Sequence, residues 1–275
     1  MELAVLKWIQ SFSSPFLDVF FQLITMLAEQ WTVILVLAAA YWLYDKKAGE
    51  QLAFTLLISG LCNNILKGIF RFERPIGQEG IRTLRAHTAT GYSFPSGHSQ
   101  NASTLYFSMA RRKGGWLRYA LASAVCLLVG LSRLYLGVHY PKDAAVGLVL
   151  GAAFAFLCPV IWNRVDHEKC VGITAAICLI LTLLLGQRDL YKVFGLLLGF
   201  GAGIAFERRY VNFSTQVSGG KKALRFLLGL ALLGGVQYFL KMLFPHYLWC
   251  DAARYALLAF FAFGVYPFAF HKVGF

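Results

Sequence analysis

Two histidines and an aspartate stand at the ends of long apolar segments, in positions suited to acid, base or nucleophilic chemistry. His139 precedes Asp143 by four residues, and Pro141 between them is acceptable in the first turn of a helix. This spacing lets the carboxylate accept a hydrogen bond from one imidazole nitrogen while the other faces a site, and an oriented, neutral imidazole is a competent nucleophile or base. A His–Asp pair that only caps the helix is the alternative. Ionisable residues near apolar spans are costly, which favours the chemical interpretation.

A second motif, Pro95-Ser96-Gly97-His98, opens another apolar segment. Ser96 is suited to a helix N-cap, and Gly97 lets a bound group approach the backbone. Free N–H groups and the positive end of the helix dipole then favour an anion at this point. An ordinary loop-to-helix junction, with His98 packed in a bundle, explains the motif equally well in isolation.

Three cations accompany these groups. Lys67 and Arg74 lie near the end of one apolar segment and just beyond it, and Arg133 follows Ser132 near the end of another. For an isolated pair of cations, interfacial anchoring or a topology signal is the better interpretation. Two histidines, one aspartate, three cations and a helix N-terminus on one face are more than topology requires. Together they predict a site for an anionic substrate.

The three motifs resemble the signature of the type 2 phosphatidic acid phosphatase superfamily, K-x6-R-P, P-S-G-H and S-R-x5-H-x3-D. The signature is complete between Lys67 and Asp143. The resemblance implies that His139 attacks phosphorus to form a phosphohistidine, while Asp143 holds its tautomer and stabilises the developing cation. His98 would protonate the leaving oxygen and later help to activate water. The groups implied to hold the phosphoryl oxygens are Lys67, Arg74, Arg133, the Ser96 hydroxyl and the Gly97 N–H.

By the same resemblance, the chain is expected to be a membrane phosphatase that needs no metal or other cofactor. The substrates within reach are phosphatidic acid, phosphatidylglycerol phosphate, isoprenyl pyrophosphate and sphingoid phosphates. A pocket at the bilayer boundary would leave the lipid chain in the membrane while the phosphate enters the cationic site. The enzymatic alternative is a sugar phosphate hydrolase resembling glucose-6-phosphatase, which the motifs do not separate. The alternative outside the hydrolases is a phosphate-binding membrane transporter.

The composition places these motifs in a membrane protein. Of the 275 residues, 58% are apolar and only 14% are charged, whereas a soluble domain carries roughly 25% charged residues. The formal charge of +13 could indicate a nucleic-acid partner, but the 26 Lys and Arg residues sit in small groups between apolar runs. That placement is typical of span ends, so membrane lipids and no nucleic acid are expected as partners, and the resemblance implies a lipid phosphate as the substrate. The oligomeric state is not specified.

The fold class predicted from the apolar runs is all-α, a polytopic helical membrane bundle of about nine spans, with a range of six to ten. A single membrane domain is expected over 1–275, with a phosphatase core at about 31–165 and additional helices at about 170–272. Met1 to Gln30 is predicted to be an amphipathic interfacial segment or an extension of the first span. The predicted spans run from Trp31 to Tyr44, Ala48 to Phe70, His98 to Ala110, Trp116 to Leu134, Ala144 to Trp162, Val171 to Gly186, Val193 to Phe206, Leu224 to Phe244 and Trp249 to Phe270.

The third of these spans is the weakest, because five polar residues interrupt it, and so polar a helix must face other helices or a water-filled cavity. The glycines from Gly195 to Gly203 are expected to allow close helix packing. In the loop after Arg74, Arg82 and Arg85 are read as solvated charges or as parts of a headgroup pocket. Lys and Arg gather at the loops opposite the three motifs, so the site is expected on the extracytoplasmic face of a cell membrane.

Overall fold

The computed structural model describes residues 1–274, which form α-helices and connecting loops without a strand in that range. This confirms the predicted all-α fold. Short π-helical turns extend three helices, at Ala40–Tyr44 after α3, Glu207–Val211 after α9 and Phe261–Val265 after α11. The helices are α1 Glu2–Ser11, α2 Pro15–Met26, α3 Gln30–Ala39, α4 Lys46–Phe70, α5 Gly97–Lys113, α6 Trp116–Tyr135, α7 Pro141–Arg164, α8 His167–Leu185, α9 Arg188–Phe206, α10 Gly219–Leu243, α11 Leu248–Phe260 and α12 Tyr266–Val273.

Seven helical segments within residues 1–274 are long and apolar enough to cross a membrane: α4, α6, α7, α8, α9 with its π turn, α10, and α11 continued through α12. The count rises to eight if α2 and α3, which meet at an angle of 45°, form one broken span. The chain is therefore a multi-pass membrane protein. The count lies within the predicted range of six to ten but below the expected nine for two reasons. The first predicted span qualifies only together with α2, and the helix that replaces the third predicted span is too short and too polar to qualify.

That helix, α5, runs antiparallel to α6, to which it is joined through Gly114 and Gly115. Its 17 residues extend about 26 Å, close to the roughly 30 Å of α6. Its fully buried polar side chains, those of Ser99, Gln100, Ser103 and Thr104, face the protein, as expected, and are paired there. The Thr104 hydroxyl lies 2.8 Å from that of Ser59 on α4, and the Gln100 amide donates to the Ser59 carbonyl over 2.7 Å. Helix-to-helix hydrogen bonds thus stabilise a segment whose composition alone does not identify a span.

The chain divides into two compact units. The first comprises Met1–Val33 and Ile58–Pro159 and contains all eight predicted site residues. Within it, α7 approaches the beginning of α5 closely because Gly147 and Gly151 have no side chain. A Cβ at Gly147 would lie 2.6 Å from the Ser96 carbonyl oxygen, and one at Gly151 would collide with the Gln100 carbonyl oxygen. This close approach brings the start of α7, with Asp143, beside the N-terminus of α5.

The second unit comprises Ile34–Leu57 and the chain from Val160 onward. Here α9 and α11 pack with almost touching backbones, since a Cβ at Gly195 or Gly199 would collide with the carbonyl oxygens of Ala252 or Ala256. This confirms the predicted role of the glycines on α9. At one end of the unit, the buried carboxylate of Glu207 accepts hydrogen bonds from the Lys46 ammonium at 3.0 Å.

Candidate active site

The ends of four helices of the first unit converge on one site. The C-terminal ends of α4 and α6 carry Lys67 and Arg133, and the N-terminal ends of α5 and α7 carry His98 and Asp143. The Ser96 N–H donates to the Asp143 carbonyl oxygen over 2.9 Å, which ties α5 to α7. His98 lies within the electrostatic field of Arg133, His139, Lys67 and Arg74. The structure therefore brings the predicted residues together, as the motifs required.

His139 lies in the short loop between α6 and α7, with only 1% of its surface exposed. Arg74 Nη1 lies 2.9 Å from His139 Nε2, and because a guanidinium only donates, Nε2 is the acceptor and Nδ1 carries the proton. Burial, followed by the charges of Arg74, Arg133 and Lys67, lowers the pKa of His139 well below its usual range. The imidazole is consequently neutral at neutral pH, with its lone pair on Nε2.

Asp143 is fully buried at the start of α7. Its Oδ2 accepts hydrogen bonds from the Ser93 hydroxyl at 2.5 Å and from the Tyr140 N–H at 2.9 Å. The contact of Oδ2 with His139 Nδ1 is 3.4 Å, longer than a typical hydrogen bond. The carboxylate therefore caps the helix and faces the imidazole at the same time, and the chemical role of the pair stays a prediction.

Ser93 is a residue at the site that sequence reasoning missed. Its hydroxyl contacts both members of the dyad, at 2.5 Å from Asp143 Oδ2 and 3.4 Å from His139 Nδ1, and its side chain is fully buried. The Ser93 N–H donates to the Phe72 carbonyl over 2.8 Å, which fixes its backbone. No local spacing signals this role, because Ser93 lies 50 residues before Asp143 in the chain.

The N-terminus of α5 has the geometry predicted for it. Ser96 is the N-cap, and its hydroxyl oxygen accepts hydrogen bonds from the Ser99 N–H at 3.4 Å and the Ser99 hydroxyl at 3.1 Å. A Cβ at Gly97 would lie 3.9 Å from Lys67 Nζ, so the ammonium group sits against the first turn of the helix. The positive end of the helix dipole and the Lys67 charge consequently reinforce each other.

Three buried nitrogen atoms at this site have no hydrogen-bond partner among the described residues. They are His98 Nε2 and the Nε and Nη2 atoms of Arg133. Buried polar groups are paired in the great majority of cases, so unpaired ones need an explanation. The two unpaired guanidinium nitrogens of Arg133 are available as donors to an anion that enters the cationic site, and the unpaired His98 nitrogen faces the same site.

Arg74 differs from Arg133 because its guanidinium is saturated. Nε donates to the Gly91 carbonyl, Nη1 to the Val138 carbonyl and His139 Nε2, and Nη2 to the Thr90 and Tyr92 carbonyls, all within 3.1 Å. Burial lowers the pKa of Arg74 to about 10, so the group stays charged at neutral pH. Arg74 thus holds the loop before α5 and covers the nucleophilic nitrogen of His139.

The loop charges Arg82 and Arg85 are neither simply solvated nor directed at the site. Arg82 forms a two-point ion pair with Asp18 on α2, at 2.6 and 2.7 Å, and Arg85 pairs with Glu29 at 2.6 Å. Gln10 on α1 adds hydrogen bonds to the Arg82 carbonyl and to the Tyr135 carbonyl, at 2.7 and 2.8 Å. The N-terminal segment is therefore fastened to the loops that carry the site.

Comparison with known protein families agrees with the motifs. The PAP2 superfamily matches residues 49–166, which include all eight predicted site residues, and the transmembrane extension of PAP2 superfamily phosphatases matches residues 191–275. A solved structure of a transmembrane PAP2-type phosphatidylglycerolphosphate phosphatase from Bacillus subtilis is similar, with a TM-score of 0.52 and 27% identity. The similarity covers 60% of this chain and 85% of that one.

Curated relatives are similar to part of the chain. A lipid A 1-phosphatase of Rhizobium johnstonii is 34% identical over 128 residues, which cover 44% of this chain and 51% of the relative. A protein of Escherichia coli K12 named "Putative undecaprenyl-diphosphatase YbjG" is 31% identical over 144 residues, covering 50% of this chain and 70% of that protein. The chain spans about half the length of the lipid A 1-phosphatases that it matches. With its family match, its relatives and its complete signature, the chain belongs to the PAP2 superfamily.

Proposed function

We propose that this protein is a membrane phosphatase that hydrolyses a lipid phosphate or an isoprenyl pyrophosphate through a phosphohistidine at His139. The observation that carries the proposal is the grouping of a neutral His139 Nε2 with unpaired buried nitrogens of His98 and Arg133. A nucleophile, a proton donor and a cation beside a helix N-terminus supply what in-line phosphoryl transfer needs, which is mainly positioning and charge stabilisation.

In the first step, the incoming phosphate draws Arg74 away from His139 and frees the Nε2 lone pair. Nε2 then forms the N–P bond while the bond between phosphorus and the leaving oxygen breaks. His98, in its protonated form, gives its proton to that oxygen, and the leaving group departs as a lipid alcohol or a lipid monophosphate. The negative charge of the phosphate favours the protonated form of His98, and Asp143 stabilises the positive charge that develops on His139.

In the second step, a water molecule attacks the phosphohistidine. His98 accepts a proton from the water, the new O–P bond forms, and the N–P bond breaks to release inorganic phosphate and restore neutral His139. Lys67, Arg133, Arg74, the Ser96 hydroxyl and the Gly97 N–H are the proposed ligands of the phosphoryl oxygens in both steps. These cations supply the charge stabilisation, so the proposed reaction needs no metal.

An exposed aromatic cluster beside the phosphate site favours a lipid substrate over a sugar phosphate. Phe70, Phe72 and Phe94 lie with ring centroids 5.1 to 5.7 Å apart, and the first two are 45% and 41% exposed. Phe70 ends α4, three residues after Lys67, and Phe94 directly precedes Pro95. An acyl or prenyl chain on these rings would join its phosphate to the cationic site, whereas a hydrophilic sugar would gain little from them.

The active site is proposed to open on the extracytoplasmic face. In the first unit, the end opposite the site carries Arg111, Arg112, Lys113 and Arg118 around the turn between α5 and α6. Such a group in a short loop is typical of the cytoplasmic side. In a chain whose native cysteines are replaced, a thiol introduced by Glu79→Cys should react with an impermeant reagent from outside, and one introduced by Lys113→Cys should not. The reverse labelling pattern would overturn this orientation.

The function is tested by phosphate release from purified, detergent-solubilised protein. The panel contains phosphatidic acid, phosphatidylglycerol phosphate, undecaprenyl pyrophosphate, sphingosine phosphate and glucose 6-phosphate. We expect release from at least one lipid, loss of activity in His139→Ala, and normal activity in the matched control His87→Ala, whose exposed histidine lies in the loop before the site. Preference for glucose 6-phosphate would support the sugar phosphatase instead. Saturable phosphate binding without release from any substrate would support a transporter.

A further inference from the structure

Arg133 is held in an unusual way for a fully buried cation. Its Nη1 donates to the hydroxyl of Thr25 over 2.7 Å, while Nε and Nη2 have no partner within residues 1–274. Both side chains are inaccessible to solvent. Because a guanidinium is planar and its five N–H groups are fixed relative to one another, an anchor on one nitrogen sets the direction of the others.

Thr25 is held in place by the face of α2 to which it belongs. Asp18, Phe21 and Thr25 follow one another at the spacing of one helix face. Asp18 accepts a hydrogen bond from the Tyr135 hydroxyl at 2.6 Å, and the Phe21 ring lies 4.5 Å from the Tyr135 ring. Tyr135 is two residues beyond Arg133 on α6, so this face of α2 packs against the end of α6 that carries Arg133.

The same part of the chain also supports the loop that carries the nucleophile. Phe21 belongs to a buried cluster with Tyr135, Leu136 and Val138, against which Leu17 and Phe20 of α2 pack. The cluster therefore ends directly before His139. The match to the PAP2 superfamily begins at residue 49, so α2 lies outside it, and none of the three signature motifs includes a residue of this helix.

We propose that Thr25 is a positioning residue that aims the Nε and Nη2 groups of Arg133 at the phosphoryl oxygens, so that the segment before residue 49 completes the active site. This inference rests on the proposed phosphatase function. Thr25 itself does not touch the substrate; it acts through the orientation of Arg133. Its loss should therefore weaken transition-state stabilisation more than it weakens the binding of the lipid chain.

The test compares Thr25→Val, which removes the hydroxyl at nearly constant shape, with Thr25→Ser, which keeps it. We expect Thr25→Val to lower kcat/KM about tenfold, chiefly through kcat, and to weaken inhibition by vanadate by a similar factor, since loss of a complete transition-state donor costs about 100-fold or more. Thr25→Ser should stay within about twofold of the parent protein. Thr55→Val is the matched control, because the buried Thr55 hydroxyl bonds only to the Gln51 carbonyl of its own helix in the described structure.

A double-mutant cycle separates this role from a general effect on folding. In an Arg133→Lys background, the guanidinium that Thr25 orients is gone, so adding Thr25→Val should change kcat/KM by less than about twofold. An equal loss in both backgrounds would overturn the proposal, as would parental kcat/KM and vanadate inhibition in Thr25→Val alone. If the valine variant does not fold, Thr25→Ala takes its place in the same cycle. Each of these results leaves the phosphatase activity of the parent protein, and hence the proposed function, intact; an inactive parent protein would refute the proposed function itself.

Discussion

Replacement of Ser93 by alanine should slow the reaction without touching any signature residue. The Ser93 hydroxyl donates the short 2.5 Å bond to Asp143 Oδ2, and the Tyr140 N–H supplies the other bond to that oxygen. Among residues 1–274, Asp143 Oδ1 is buried without a hydrogen-bond partner, so few hydrogen bonds stabilise the carboxylate. A hydrogen bond to a charged group contributes about 1.5 to 3 kcal/mol. If the Asp143 carboxylate loses that stabilisation, it stabilises the developing His139 cation less well in the transition state. At 1.4 kcal/mol per factor of ten, kcat should then drop about 10- to 150-fold.

The assay is steady-state phosphate release on the best lipid substrate, with kcat and KM measured separately. We expect the loss to appear in kcat, because Ser93 faces the dyad rather than the phosphate ligands. Ser103→Ala is the control: this serine is equally buried, but its hydroxyl donates to the Leu148 carbonyl over 2.6 Å. An Ser93→Ala enzyme with parental kcat would refute the reasoning. It would mean that Asp143 moves onto His139 Nδ1 without help and that the 3.4 Å contact in the structure closes during the reaction.

Three further outcomes follow from the site. Because the pKa of His139 is lowered, its imidazole stays neutral at pH values below the usual histidine pKa. We therefore expect kcat/KM to fall on the acid side only below about pH 6.5, and an acid limb centred above that pH would contradict the assignment. Vanadate should inhibit as an analogue of the trigonal-bipyramidal phosphoryl centre, and EDTA should not, whereas activity that is restored only by added Mg²⁺ would indicate other chemistry. Phe70→Ala should raise KM about fivefold for a long-chain substrate and leave the KM of a short-chain analogue unchanged. Phe12→Ala, at another exposed phenylalanine, is the control, and equal effects on both substrates would contradict a chain-binding role.

The helices and the signature residues could be predicted because their signals are local. An apolar run of sufficient length indicates a span whatever its neighbours are, and the Ser96 cap or the step from His139 to Asp143 lies within one helical turn. The same locality explains why α5 is the weakest of the predicted spans. Composition underrates α5, because the hydrogen bonds that accommodate Gln100 and Thr104 come from Ser59 on another helix and leave no trace in the α5 sequence.

The N-terminal segment shows where amphipathic patterning stops being informative. Its exposed side, with Trp8, Phe12 and Phe16 at 60% exposure or more, fits the predicted interfacial segment. The 45° bend between α2 and α3 equally allows α2 to extend the first span. Patterning indicates which residues are apolar. It does not reveal that polar ones face the protein, where Gln10 bonds to the loop at Arg82 and Thr25 bonds to Arg133 on α6.

Ser93 and Thr25 were missed for one physical reason. Their partners lie 50 and 108 residues away, so the contacts arise only when several helices have packed. The signature residues are the ones proposed to act on the phosphate directly, and the chemistry of phosphoryl transfer restricts which side chains can do so. The residues behind them need only a hydroxyl at a particular point in space, and many positions of the chain could provide one. These supporting residues are therefore recognised by where their hydroxyl groups lie in space rather than by residue type, and that location is known only from the folded protein.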